Sequence, residues 1–440
     1  MKGLILTYLI AYGGAVAALF YPLAGVWAYA FLSIARPQLL YGWAGDLSGL
    51  SRIVAVALAI GWGLKGFGRW SFGRIGTQVY LLIAFFAWMS FSAFFAPNQD
   101  LAWDTVFEQV KFLLPFIVSM TMIRTRREVM MLAWAIVLSQ GLVSFEMNWS
   151  YLSGYNRAQA EGLLGDNNTF AVSLVTTLGP ALFLGLLAPK LWQKGVAFLC
   201  AAMILHTILL TYSRGAILAM IVSGVLCLMV MPKKPTYLAA VVLAALIAIR
   251  LTGPQLLHRF ESSFAGEGQR DSSAESRLKL WQDCITVMER NPILGVGPSH
   301  WPTVASQFGW IEGKAAHTFW LQLGAEIGVP GLLFLVLFYV TSLWRAWQLA
   351  RRRDDLWLSN IGCYTFTGLG GFMFAAQFVS ASGIEVPYYV AIVGLTPFLL
   401  TDLPVQAEQK EKPKPQLPKP PRPVLRPGRM LPPEFKRATR

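Results

Sequence analysis

Apolar stretches of about 18 residues or more recur along this chain of 440 residues, and that recurrence limits what it can fold into. Inside lipid every backbone N–H and C=O must find a partner within the chain, so such segments become helices packed in a bundle. Hydrophobic residues make up 55% of the chain and charged residues 14%, where a soluble protein carries roughly a quarter charged. The implied fold class is all-α, a polytopic helical membrane protein. Candidate spans lie at 4–35, 53–64, 78–95, 110–123, 129–147, 170–187, 196–212, 216–231, 237–251, 318–343, 358–379 and 386–400. Pro22 makes the first of these either two short crossings or one crossing and a broken element, so 12 or 13 spans are expected. Met1-Lys2 opens straight into an apolar run with no small-residue cleavage site, so no cleavable signal is expected.

Charge then orients the bundle. The loops at 65–74, 124–127, 190–194, 233–234 and 345–353 are basic and recur after every second crossing. The alternate loops at 98–108, 148–168, 213–215 and 380–385 are mostly neutral or acidic. By the positive-inside rule the basic set is cytoplasmic. The Pro-rich tail at 403–440 carries ten Lys or Arg against three Glu and falls on the same side, where it reads as a disordered basic extension. Residues 1–402 form the membrane domain, and one long polar loop, 252–316, falls on the outer face with Arg214 and the Asp166-Asn167-Asn168 turn. The cysteines Cys200, Cys227, Cys284 and Cys363 have no paired spacing and read as packing residues.

Few residues on that face suit chemistry. Arg214, in Thr211-Tyr212-Ser213-Arg214-Gly215, lies between two apolar runs, where a charge costs a few kcal/mol, and suits a fixed cation for an anionic group. Arg277 falls on an expected amphipathic helix at 273–290, whose Leu278, Trp281, Ile285 and Met288 recur at i, i+3, i+7 and i+10 and predict a stripe resting in the membrane interface. Lys279 and Arg270 are neighbouring cations. His317 opens the span that follows the long loop, and a neutral imidazole there can act as a base near pH 7. His300 is a second candidate; His206 and His258 have no supporting context. Glu326 lies nine residues beyond His317 inside an apolar run, so it is expected to be paired or functional. No carboxylate pair, zinc motif, Walker loop or G-x-S-x-G elbow is present, and no metal or other cofactor is expected.

Taken together these residues resemble a known family. His317-Thr318, nine residues, then Gly328-Val329-Pro330-Gly331 is similar to the His-[Asn/Ser/Thr]-x9-Gly-x-x-Gly pattern of O-antigen ligases. The Gly165-Asp166-Asn167-Asn168 turn, the Ser213-Arg214-Gly215 turn, the Glu275-Ser276-Arg277 segment with Trp281, and the Asn291-Pro292 to Gly295-Val296-Gly297 run also resemble that ligase/polymerase superfamily, in the same order. The region at 29–42, with Arg36-Pro37-Gln38, looks like the O-glycosylation ligases associated with exosortase systems. The resemblance implies an inner-membrane glycosyltransferase of polysaccharide biosynthesis. It would pass a glycan from undecaprenyl diphosphate to a periplasmic glycan, lipid or protein acceptor, in a bilayer and with no nucleic-acid partner. By motif its two arginines and histidine map onto Arg214, Arg277 and His317 as catalytic residues, with Arg214, Arg277, Lys279, Asn168 and His300 expected on the substrate.

That chemistry is self-consistent. Two arginines can grip a leaving diphosphate by paired hydrogen bonds, and His317 can take the proton of an attacking hydroxyl, which predicts inversion at the anomeric carbon. A repeat-unit polymerase of the same superfamily would share the motifs. A flippase for lipid-linked sugars would share the arginines and need no base, and a scaffold in an export complex would need neither.

Overall fold

A computed structural model describes residues 2–44, 47, 49–163, 165–233, 235, 250, 272–380 and 383–401. The span expected at 237–251, His258, Arg270 and the tail at 403–440 lie outside the described residues, apart from Arg250 at that span's end. The described chain is all-helical. Its main helices are α1 Lys2–Phe20, α2 Pro22–Ala35, α3 Gly49–Leu64, α4 Gly76–Ala93, α5 Gln99–Val110, α6 Leu113–Met122 and α7 Arg126–Leu152. After these come α8 Asn167–Leu187, α9 Leu191–Leu210, α10 Arg214–Val230, α11 Ser272–Arg290, α12 Phe319–Ala350, α13 Leu356–Ala375 and α14 Val386–Thr401.

Among the described residues seven stretches are long and apolar enough to cross a membrane: Gly3–Phe20, Gly73–Ala93, Gln99–Met122, Arg126–Leu152, Asn167–Leu187, Leu191–Leu210 and Phe319–Ala350. The expectation of 12 or 13 spans divides here for a physical reason. Gly49–Leu64, Arg214–Val230 and Val386–Leu400 are apolar but shorter than 18 residues, and Pro22 starts α2 as a separate 14-residue helix. The first apolar run is therefore two helices.

Polar caps set the helix starts. Asn98 accepts from Leu101 N at 3.1 Å, Thr125 and Glu128 form a capping box, and Asp166 Oδ1 accepts from Asn168 N and Thr169 N at 2.7 and 2.9 Å. The centre of the bundle is α8 against α13, flanked by α12, α9, α10 and α14. Small residues let backbones close in, as in membrane packing generally: a Cβ on Gly61 would sit 2.0 Å from Ala18 O, and one on Gly362 2.1 Å from Ala350 N.

The two ends of the bundle differ. At one, three of the basic loops meet: Arg345 Nη2 donates to Arg74 O, Arg126 pairs with Asp355, and Arg69 N donates to Thr121 O at 3.0 Å. At the other, Asn167 Nδ2 donates to Thr211 O at 2.9 Å and Arg36 Nη2 to Gly383 O at 2.5 Å.

The long α12 is broken in the middle. Gly328 adopts φ 75°, ψ 174°, with Pro330 two residues on. The break frees three carbonyls, and neighbouring chain takes them up. Val296 N donates to Ala325 O at 3.0 Å and Gly297 N to Glu326 O at 2.8 Å, while Trp88 Nε1 donates to Ile327 O at 3.0 Å. In return Val329 N donates to Pro292 O at 2.8 Å. The Gly-rich run is thus the backbone partner of the broken helix.

Helix α11 forms where expected, with a different face buried. Leu280, Cys284 and Val287 are buried and pack with Trp301, Ala305, Ala316 and Ala325 as a second small core. Leu278 and Ile285, expected in the apolar stripe, are exposed, and Trp281 and Met288 are half-buried. The helix packs along α12, so its inward row is set by protein. Periodicity alone does not distinguish a row that meets protein from one that meets lipid.

Because an added Cβ at Gly328 would sit 2.0 Å from Ile293 O at a positive φ, Gly328→Ala is expected to cost about 2–4 kcal/mol. Gly13→Ala, with nothing within 4 Å of the new atom, serves as the control. Thermal melts of the detergent-solubilised chain, followed by size-exclusion fluorescence, should show the first variant melting several degrees lower and the second unchanged.

Candidate active site

Four turns meet at the end of the bundle away from the basic loops, and each is held in an unusual backbone conformation. Arg36, Tyr212, Ser299 and His317 have φ of 44°, 51°, 58° and 53°, four of the five non-glycine residues with positive φ among those described. Such conformations cost of order 1–3 kcal/mol each and cluster at functional sites.

His317 is fixed through its backbone. Its N–H donates to Ser380 Oγ at 3.1 Å, and Ala316 N donates to Gln322 Oε1 at 3.4 Å. Ser380 Oγ in turn donates to Gln322 Oε1 at 2.6 Å, and Gln322 Nε2 donates to Glu326 Oε1 at 2.9 Å. Glu326 is buried and also accepts from Trp301 N at 3.4 Å. The imidazole is half-buried, and burial holds its pKa below the ordinary 6.5. Arg277 and then Lys314 push it the same way, and Asp166 opposes them. Three distant stretches of chain therefore act on one ring.

Arg214 occupies the first turn of α10, where Ser213 caps by accepting from Ala216 N at 3.3 Å. A cation there opposes the helix dipole, so local structure does not account for it. Its turn is wedged between two others: Asn167 bonds Thr211, and a Cβ on Gly215 would meet Phe378 Cβ at 2.8 Å, two residues before Ser380. Asn168 is half-buried in the first turn of α8, with its N–H committed to Asp166.

Two expected substrate contacts are not brought in. Lys279 is exposed and pairs with Glu275 at 3.8 Å, the two side chains 65% and 63% accessible; residues two apart on a helix point different ways, so it leaves Arg277's face. His300 is buried with both ring nitrogens engaged, Nδ1 to Pro298 O at 2.8 Å and Nε2 accepting from Asn98 N at 3.0 Å. It is a strut tying the Gly-rich run to the start of α5, with no ring nitrogen left for a ligand.

The sequence reading missed Gln322, Ser380 and Lys314. Thr318, Gln322 and Glu326 recur at i, i+4 and i+8 in an apolar helix, a polar row that marks a wet or bonded face. Ser380 left no such signal. Arg36 was noted only by resemblance; burial lowers its pKa while Glu385, itself raised by burial, opposes that shift, and it braces the loop that carries Ser380.

A multi-pass helical membrane protein that gathers two arginine-bearing turns and an imidazole at one end of its bundle is the class defined by fold and site. Residues 197–336 match the family model described as O-antigen ligase, a range holding Arg214, Arg277, His317 and the broken α12. Residues 1–169 match a family of unknown function (DUF5935). No curated protein matches the chain. The match over 197–336 supports an O-antigen ligase-like superfamily, and with it a ligase- or polymerase-like function at a membrane.

If His300 is a strut, His300→Leu removes both bonds and orphans the Asn98 N–H, a loss of about 1–3 kcal/mol. The measurable outcome is a lower melting temperature, with ligand affinity per folded molecule unchanged.

Proposed function

We propose that the protein transfers a glycan from undecaprenyl diphosphate to a hydroxyl of a glycan, lipid or protein acceptor at the periplasmic face of the bacterial inner membrane, its tail cytoplasmic. The observation that carries this reading is the approach of Arg277 and Asp166 to His317, inside a bundle end framed by the Arg214 turn. The acceptor oxygen attacks the anomeric carbon as the bond from that carbon to the diphosphate oxygen breaks. His317 takes the hydroxyl proton, and the diphosphate leaves as an anion beside Arg214 and Arg277. Attack from the face opposite the leaving group inverts the carbon. Each guanidinium donor on the developing charge is worth roughly 3–4 kcal/mol. A cation next to the base keeps it neutral, and so competent, at pH 7.

The basic loops supply the orientation, since they gather at the end opposite His317 and basic loops face the cytoplasm. Within the superfamily we place the chain with the O-glycosylation ligases associated with exosortase systems, on the resemblance around Arg36-Pro37-Gln38.

The test is reconstitution of the full chain in nanodiscs with an undecaprenyl-diphosphate oligosaccharide and candidate acceptors, followed by mass. His317→Ala should cut transfer by about 10²–10⁴-fold while the lipid carrier still binds; unaltered transfer would remove the base from the mechanism. Lys279→Ala should stay within about twofold, as expected of an exposed surface ion pair.

The pH profile adds a sign. With the His317 pKa depressed below 6.5, kcat/KM should climb through that lower value and be flat at neutral pH. Arg277→Gln removes a positive neighbour and stabilises the imidazolium, so the midpoint should move up toward 6.5 as the plateau falls. A midpoint that stays put contradicts the coupling.

A further inference from the structure

A cavity of ≈ 200 Å³ adjoins the candidate active site, lined by Thr105 and Gln109 of α5, Gln322 and Glu326 of α12, and the loop residues Ser299 and Ser380, with Phe85, Phe319 and Tyr388 among its aromatic walls. Its volume equals about seven waters at ~30 Å³ each, room for one sugar ring. Among the described residues no Lys, Arg or His lines it, so those walls offer an anionic diphosphate no counter-charge. Its polar groups are two amides, four hydroxyls and one carboxyl. Amides both donate and accept, and a buried carboxyl accepts from hydroxyls, so together they suit a neutral ligand rich in hydroxyl groups. The aromatic walls supply flat apolar surface for the C–H faces of such a ring. Ser380 and Gln322 belong both to this wall and to the hydrogen-bonded set that fixes His317, so an occupant reports directly on the base.

We propose that this cavity is a monosaccharide subsite, holding one neutral sugar residue beside the reacting centre, and that Gln109 and Thr105 select for it. The proposal rests on the glycan-transfer reading above for the identity of the sugar's carrier. It also gives the family-unassigned residues 1–169 a role, because α5 lies within them. Whether the ring belongs to donor or acceptor is a matter of source; the recognising chemistry is the same.

The experiment uses the full chain in nanodiscs and three probes: bare undecaprenyl diphosphate, the same carrier bearing the host's oligosaccharide, and that oligosaccharide free in solution. Wild type should bind the glycosylated carrier about tenfold more tightly than the bare one, or bind the free oligosaccharide measurably. Gln109→Leu and Thr105→Val should erase that sugar-dependent increment and leave bare-carrier binding unchanged. Thr105→Val keeps shape, so an unaltered melting temperature separates lost recognition from lost folding. If preloaded glycosylated carrier blocks the free oligosaccharide, the ring is the donor's; if it does not, the ring is the acceptor's. Sugar-dependent binding that is absent in wild type, or untouched by both substitutions, overturns the subsite. Bare-carrier binding that ignores Arg277→Gln would instead count against the transfer reading and leave the subsite standing.

Discussion

The break in α12 constrains everything around it. A helix interrupted in the middle of a bundle strands carbonyls where water cannot reach, at about 1–3 kcal/mol for each one left unbonded. The run Asn291 to Gly297 supplies two of the three donors from its backbone and Trp88 the third, which explains its glycines: a Cβ at Gly295 would lie 2.3 Å from Glu326 O. Once that run is seated, α11 ends against it at Arg290, and a rigid helix carries the position back to Arg277, thirteen residues and about 20 Å away at 1.5 Å per residue. The intact first part of α12 carries it the other way, to His317. Both functional side chains are therefore referenced to one backbone joint.

Electrostatics explains why that precision has a use. Arg214 begins a helix against its dipole, Arg277 and Lys314 bias a half-buried imidazole toward neutrality, and Asp166 is the counterweight acting on it. An assembly of this kind is relieved by an incoming anion, and a base already neutral has no proton to lose first.

Much of this was legible in the chain. Apolar length announced an all-helical bundle, and the structure brings three of the five basic loops together at one end of it. Arg277 and His317 were legible because a charge or an imidazole is conspicuous beside an apolar run. What stayed hidden depended on partners remote in sequence. His300 looked like a ligand because nothing local says that Asn98, 202 residues away, occupies its ring. Lys279 looked equivalent to Arg277, and only the helical phase set by α12 separates them. The stripe of Leu278 and Ile285 was read as resting in the membrane interface, and the row that packs on protein, Leu280, Cys284 and Val287, went unread because spacing does not say what a face meets. Ser380 is a bare hydroxyl in a loop, and its weight comes wholly from bonding His317 and Gln322.

Two stretches with separate family matches supply one site. The range 197–336 contributes Arg214, Arg277, the imidazole and the joint, while Arg36, Thr105, Gln109 and Asp166, all within 1–169, brace the loop, wall the cavity or cap α8. Charge lies on one side of Ser380 and Gln322, and neutral hydrogen-bonding groups lie on the other. A diphosphate-linked sugar divides in the same way, into an anionic half and a hydroxylated half joined at the carbon that reacts. On the transfer reading proposed above, a site with this division recognises the junction itself. Its chemistry at the phosphate side can stay constant while the cavity wall contributed by α5 changes with the glycan to be moved.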